Sequence, residues 1–290
     1  MRLRDKLRRR QFISIIEIFP PNFSADDSKE PLIGLAQKTR DLVARVKSVE
    51  NLADAILVAD VKDLSRLKLS SVFAAAILRR ELGVEAIPVI TARDLNRAAL
   101  KTMYLTALSY GLDSVMLVWG DRYNGHDGVK NVYDYRSLSE AIHDARRLSE
   151  RADLNANLLA PVDLSTLDST QGLNVATSRL SSGADGLLAQ PPTSDLSHTL
   201  QKHSETLLAH KLDSGVLLNI FPFRSKEDID ACRARFGWNI PKEMDMIAQQ
   251  GEARLLKEGK LIVEKIREQK LSGVFVSTRG RPELARFILD

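Results

Sequence analysis

Glu17 is a carboxylate whose neighbours do not account for it: it lies inside the apolar run QFISIIEIFPPN, residues 11–22. A strand buried on both faces of a parallel sheet reads as continuous hydrophobic sequence, so an ionisable group within it is costly and drifts toward its neutral form unless something compensates. Asp121 ends the strongest strand-like run of the chain, in MLVWGD, where Gly120 permits close backbone approach. Two carboxyl groups at one mouth, in differently polar surroundings, can divide the work, one donating a proton and the other stabilising charge. The same two positions also suit a structural role.

Other polar residues fall where strand-like runs end: Asp60, Arg93, Asp94, Asp163, Gln190, Arg224 and Arg279. Asp and Ser often cap the helix that follows a strand, so capping competes with a site role at Asp94 and is favoured at Asp60 and Asp163. Arg279 and Arg281 flank Gly280 ahead of Pro282, which suits an anion site or a plain helix start. His198, His203 and His210 lack the spacing of three or four that would place them on one helical face, so they are expected at the surface and no metal site is assigned. GHDG at 125–128 is expected as a flexible loop. No Ser-His-Asp or Cys-His arrangement and no phosphate-cradling Walker loop is signalled.

The elements that must position these residues recur along the chain. Strand-like runs are FISIIEIF, AILVA, AIPVI, SVMLVW, NANLLA, GLLAQ, GVLLNIF and GVFVS. Glycines at 83, 111, 183, 215 and 273 stand between a helical segment and the next strand, the position where a left-handed stop carries no Cβ penalty. Residues 97–110 and 139–150 repeat apolar positions at the period of one buried helical face. The pattern predicts a (β/α)8 TIM barrel in a single domain, 1–290, with a lead-in helix over 1–10 and a helical elaboration of the seventh crossover over 225–269, where Ser225 and Asp228 offer a capping box. An open doubly wound sheet is the rival, but the glycine-rich dinucleotide turn after the first strand is missing. In such a barrel every strand end listed above converges on one mouth.

Composition sets outer limits. The 290 residues, 44% hydrophobic, suffice for one large core of about 250 residues. Net charge is +4, yet 42 basic and 38 acidic residues are interspersed and the only dense basic run is MRLRDKLRRR. A solvated terminal helix is expected there, with no nucleic-acid footprint. The single cysteine, Cys232, excludes an internal disulfide, and no run approaches the length of about 20 apolar residues that spans a bilayer. A cytosolic protein without membrane attachment is expected.

Several segments, in order from about residue 10 to 245, resemble the methylenetetrahydrofolate reductase family: FISIIEIFPP its first strand, PVITARDLNRAAL its third, GLDSVMLVWGD its fourth, SGADGLLAQ its sixth, NIFPF its seventh and WNIPKEM the following segment. GHDGVKNVYDYRSL is similar to the stretch leading into the next helix, and RLRDKLRRRQF to the lead-in of compact single-domain members. The resemblance implies a flavoprotein oxidoreductase of one-carbon metabolism and methionine biosynthesis. It would reduce 5,10-methylenetetrahydrofolate, or a related C1-pterin, to the 5-methyl form. Carried over by position, Glu17 would be the general acid and Asp121 would stabilise the cationic intermediate, while Gln190 and Phe221 would bind substrate. FAD would be held by Thr91, Arg93, Asp94, Gly120 and Asp121, with NAD(P)H or another electron donor. Partners implied are the folate, an electron-donor or methyltransferase protein, and further copies of the chain in a homo-oligomer. Members often carry histidine after the third-strand proline, where this chain has Val89; LLAPVDLST and PPTSD also depart from the family pattern. Two alternatives follow: a flavin-independent reductase on the same barrel, or a non-redox C1-pterin-binding or methyl-transfer subunit.

Overall fold

A computed structural model describes residues 3–24, 32–60, 66–123, 130–167, 169–190, 205–207, 209–210, 212 and 215–290. Eight parallel strands close a barrel: β1 (Ile13–Ile18), β2 (Ala55–Val58), β3 (Ala86–Thr91), β4 (Ser114–Val118), β5 (Asn157–Asp163), β6 (Gly186–Gln190), β7 (Val216–Ile220) and β8 (Gly273–Ser277). Around it stand α1 (Leu3–Arg8), α2 (Leu32–Lys47), α3 (Ser71–Leu82), α4 (Arg97–Ser109), α5 (Leu138–Arg151), α6 (Thr170–Ser181), α7 (Lys226–Phe236), α8 (Glu243–Ala248), α9 (Glu252–Glu268) and α10 (Arg286–Leu289). The TIM barrel expected from the sequence is therefore present. A short antiparallel ribbon, Asn22–Ser24 with Arg66–Lys68, joins the loops that follow β1 and β2.

Side chains alternate strictly along each strand, as a pleated backbone requires. Ile16, Ile18, Ile56, Val58, Leu218 and Ile220 face the helices and join the large outer core, whereas Ile13, Ile15, Leu57, Val89, Met116, Leu188, Leu217 and Phe275 fill the interior. The strand registers climb steadily around the circuit, so side chains at one height come from alternate strands. Ile15, Ile87, Leu159 and Leu217 make one layer. Leu57, Met116, Leu188 and Phe275 make the next. Above them come Glu17, Val89, Pro161 and Asn219, and then Val118, Gln190 and Ser277 toward the mouth.

Three local expectations change. The opening helix is not simply solvated: Leu3 and Leu7 are buried in the interior cluster and plug the barrel's lower end, while Lys6 pairs with Asp54. β5 runs through Pro161 to Asp163 instead of ending at Ala160. Its pairing with β4 stops at Leu159, and only β6 continues beside it, so the missing proline N–H falls where one edge has no ladder to extend. Gly273 is not the stop of the preceding helix. Lys270, with φ +57°, turns the chain after α9, and Gly273 opens β8, where a Cβ would lie 2.0 Å from the carbonyl oxygen of Ile13. Strand β1 lies too close for any side chain there.

The elaboration over 225–269 folds as α7, α8 and α9. Ser225 caps α7 by accepting from the Asp228 N–H, but the Asp228 carboxylate accepts from Arg224 N–H, one residue earlier than a capping box requires. Phe221, Phe223, Ile229, Cys232, Ile240, Met244 and Leu255 form a separate small core under this elaboration.

Candidate functional site

Glu17 lies on the inward face of β1, in phase with Ile13 and Ile15 and next to the strand's end. Its backbone is fixed on both sides, by β8 through Ser277 and by β2 through Leu57, and its carbonyl accepts from the Thr278 hydroxyl at 2.6 Å. Burial raises the carboxyl from 4.5 to about 7, only partly offset by a hydrogen bond with Ser277. No cation shares in that shift, so the group is a neutral acid that can give up its proton near neutral pH.

Two other interior residues face the same space with unmet hydrogen bonds. Thr91, the last residue of β3, is 3% exposed and its hydroxyl has no partner. Asn219 on β7 is 0% exposed, with both ends of its amide unpaired. Gln190 ends β6 with its side chain exposed toward the mouth.

Arg93 and Asp94 are tied to one another. The Arg93 Nε and Nη2 donate to the two Asp94 carboxylate oxygens at 2.9 and 3.1 Å, Nη2 also donates to the Tyr123 hydroxyl at 3.0 Å, and Nη1 donates to the Asp121 carbonyl. Its guanidinium lies 3.9 Å from the centre of the Tyr123 ring. Burial first, then the Asp94 hydrogen bond and charge, push the Tyr123 phenol up to about 12, and Asp60 adds to this. Gly120, at φ +82°, packs against this knot: a Cβ there would meet Thr91 Cγ2 at 2.5 Å and Arg93 Cβ at 3.1 Å. The close approach expected at Gly120 is to the protein's own side chains. Tyr133 closes the turn, donating to the Gly120 carbonyl at 2.6 Å and stacking on Trp119 with centroids 4.8 Å apart. The Asp121 residue is exposed.

The remaining strand-end residues have contacts within the protein. Asp163 accepts from Ser165 N–H and hydroxyl, capping the 3-10 turn Leu164–Thr166. Arg224 pairs with Glu252, and Arg279, at φ +50°, lies 3.8 Å from Asp228 and 5.7 Å from the Phe221 ring centre. Phe221 is buried against Phe223 and Trp238. His210 is exposed, while His198, His203, GHDG at 125–128 and the PPTSD stretch lie outside the described residues. Among the described residues no group of three or more His, Cys, Asp or Glu side chains is placed to hold a metal ion, and no helix is long and apolar enough to cross a membrane.

Sequence reasoning passed over Asn219 and Ser277. The signal for Asn219 was the one that singled out Glu17, a polar residue inside an apolar run, here VLLNIF. Ser277 carried no such signal, because serine is ordinary at a strand end; only the β1–β8 register brings it to Glu17.

Among solved structures, a protein from Clostridium thermocellum that binds two copies of 5-methyl-5,6,7,8-tetrahydrofolic acid is 13% identical with a TM-score of 0.67, covering 99% of this chain and 96% of that one. A 2,3-dimethylmalate lyase of the PEP mutase/isocitrate lyase superfamily is 10% identical, TM-score 0.56, over 98% of this chain and 79% of that one. An oxaloacetate acetylhydrolase is 12% identical, TM-score 0.56, over 95% and 78%. At these identities the likeness shows the barrel alone. No curated protein sequence matches the chain. The sequence model of the methylenetetrahydrofolate reductase family matches residues 2–275. With nearly the whole barrel matched, the chain belongs to the methylenetetrahydrofolate reductase family.

Proposed function

We propose that the protein reduces the methylene bridge of 5,10-methylenetetrahydrofolate, or of a related C1-pterin, to the 5-methyl group. The observation that carries this is Glu17: an inward-facing carboxyl at the barrel mouth, without a cationic partner among the described residues, held near pKa 7 by burial. Such an acid protonates the bridging amine nitrogen as its bond to the methylene carbon breaks, leaving an iminium at the other nitrogen. Hydride addition to that carbon then completes the methyl group. Glu17 is left as carboxylate, with Ser277 hydrogen-bonded to it, and takes up a proton before the next turnover. The exposed carboxylate of Asp121 favours the cationic stage by its charge. Gln190 is the hydrogen-bonding residue for the ring, and Phe221 an apolar wall.

FAD, when bound and reduced by NAD(P)H or another donor, would supply the hydride. Of the residues assigned to it, Thr91 fits best, since its buried hydroxyl is unpaired, whereas the side chains of Arg93 and Asp94 are bonded to one another. Val89, in the Glu17 layer, and the mutual hydrogen bonds of Arg93 and Asp94 favour a second version in which hydride comes from another donor. The 5-methyl-tetrahydrofolate bound by the Clostridium thermocellum neighbour supports a third, non-redox binding role, in which a methyltransferase partner would copurify.

The test is Glu17→Gln, with the visible spectrum of the wild-type protein recorded alongside. Turnover of the methylene-pterin should fall at least about 100-fold while the fold and pterin affinity are kept. An unchanged rate removes Glu17 as the acid. Wild-type protein that binds the pterin yet shows no reduction with flavin or with NAD(P)H leaves the non-redox role.

A further inference from the structure

We propose that Asn219 forms the floor of the ligand pocket and recognises the cyclic-amide edge of the bound heterocycle, an N–H beside a C=O, resting on the proposed binding of a reduced pterin or flavin ring. The amide is completely buried, and neither Oδ1 nor Nδ2 has a partner. Asn157 near the barrel's lower end has only its Oδ1 unpaired, since its Nδ2 donates to Ser114 at 2.9 Å. On β7, Leu217 belongs to the interior cluster while Leu218 and Ile220 belong to the outer core, so Asn219 faces inward.

The layering decides what it can meet. Glu17, Val89 and Pro161 share its height. Val89 and Pro161 offer no side-chain hydrogen bond, and Glu17 is engaged by Ser277. Phe275, paired in register with Asn219, is the apolar side chain below it. What remains is upward, toward the mouth, where Gln190 and Ser277 of the flanking strands make the next layer and Thr91 on the opposite wall carries an unpaired hydroxyl. A buried amide left unmade weakens the fold, and an apolar residue of like size would remove that cost. A carboxamide presents an acceptor and a donor on one edge, and its complement is a ring N–H adjacent to a carbonyl. Reduced pterins and the flavin ring both carry that edge. Bound there, the ring is oriented against the Glu17 carboxyl.

The experiment compares wild type with Asn219→Leu, of similar size, and Asn219→Ala, which is smaller and cannot overpack. Calorimetry measures the affinity of each for tetrahydrofolate and for FMN, and thermal unfolding without ligand reports folding. Affinity for one of the two rings should fall at least about tenfold in both variants, with the other ring bound within about twofold. The ring that suffers is the one Asn219 reads. Folded variants with unchanged affinity for both rings overturn the proposal, as does an equal loss for both, which marks general damage to the mouth. Wild-type protein that binds neither ring overturns the proposed function itself, and this inference with it. A variant that fails to fold is replaced by the other, since Leu and Ala fail for opposite steric reasons.

Discussion

At the scale of single residues, burial makes Glu17 a pH-dependent liability as well as an acid. Its folded-state value near 7 exceeds the 4.5 of the exposed group. Between those two values the unfolded chain releases the proton and the folded protein retains it. The stability present below pH 4.5 is thus lost as pH rises toward and through 7, by about 3 kcal/mol. Glu17→Gln should accordingly melt higher than wild type at pH 8 and match it closely at pH 4; an equal difference at both values would show that the carboxyl is not held neutral. Turnover should fall as pH rises above about 7, because the acid form disappears. A pH–rate profile flat from 6 to 9 would contradict that role.

Elements place these residues through contacts that admit little change. Strand β8 is drawn against β1 by Gly273, and that contact sets the pairing of Ser277 with Glu17 four residues further on. Gly273→Ala would put a Cβ 2.0 Å from the Ile13 carbonyl at φ +148°. It should cost roughly 3–5 kcal/mol in chemical denaturation and perturb the acid at the mouth with it. The loop after β4 is held in the same manner, by the Arg93 hydrogen bonds to Asp94, Tyr123 and the Asp121 carbonyl. Arg93 was expected to touch a cofactor. Its side-chain hydrogen bonds to Asp94, Tyr123 and the Asp121 carbonyl order the turn that carries Asp121.

Across the whole molecule the interior is graded from one end to the other. Leu3 and Leu7 of α1 close the lower end, where Asn157 and Ser114 pair with one another, apolar layers fill the middle, and Glu17, Asn219, Gln190 and Ser277 lie toward the upper end. In this architecture stability generally resides toward the lower end and binding at the C-terminal ends of the strands. Leu3, 1% exposed, tests the separation. Leu3→Ala should lower unfolding free energy by about 2–5 kcal/mol and leave pterin affinity within about twofold. A large affinity loss in a folded variant would show that the plug and the mouth are coupled.

The sequence by itself determined the barrel, because eight apolar runs separated by amphipathic helices have few other ways to bury their faces. It also exposed Glu17, because an acid inside an apolar run has no local explanation. Local spacing could not assign partners across the barrel. Asp163 and Arg93 looked alike as polar strand ends, yet one caps a turn and the other braces a loop. Asn219 and Glu17 stand about 200 positions apart and share one layer only because the strand registers climb around a closed sheet. Tertiary structure decided which polar groups are buried without partners, since burial depends on what the rest of the chain brings near them.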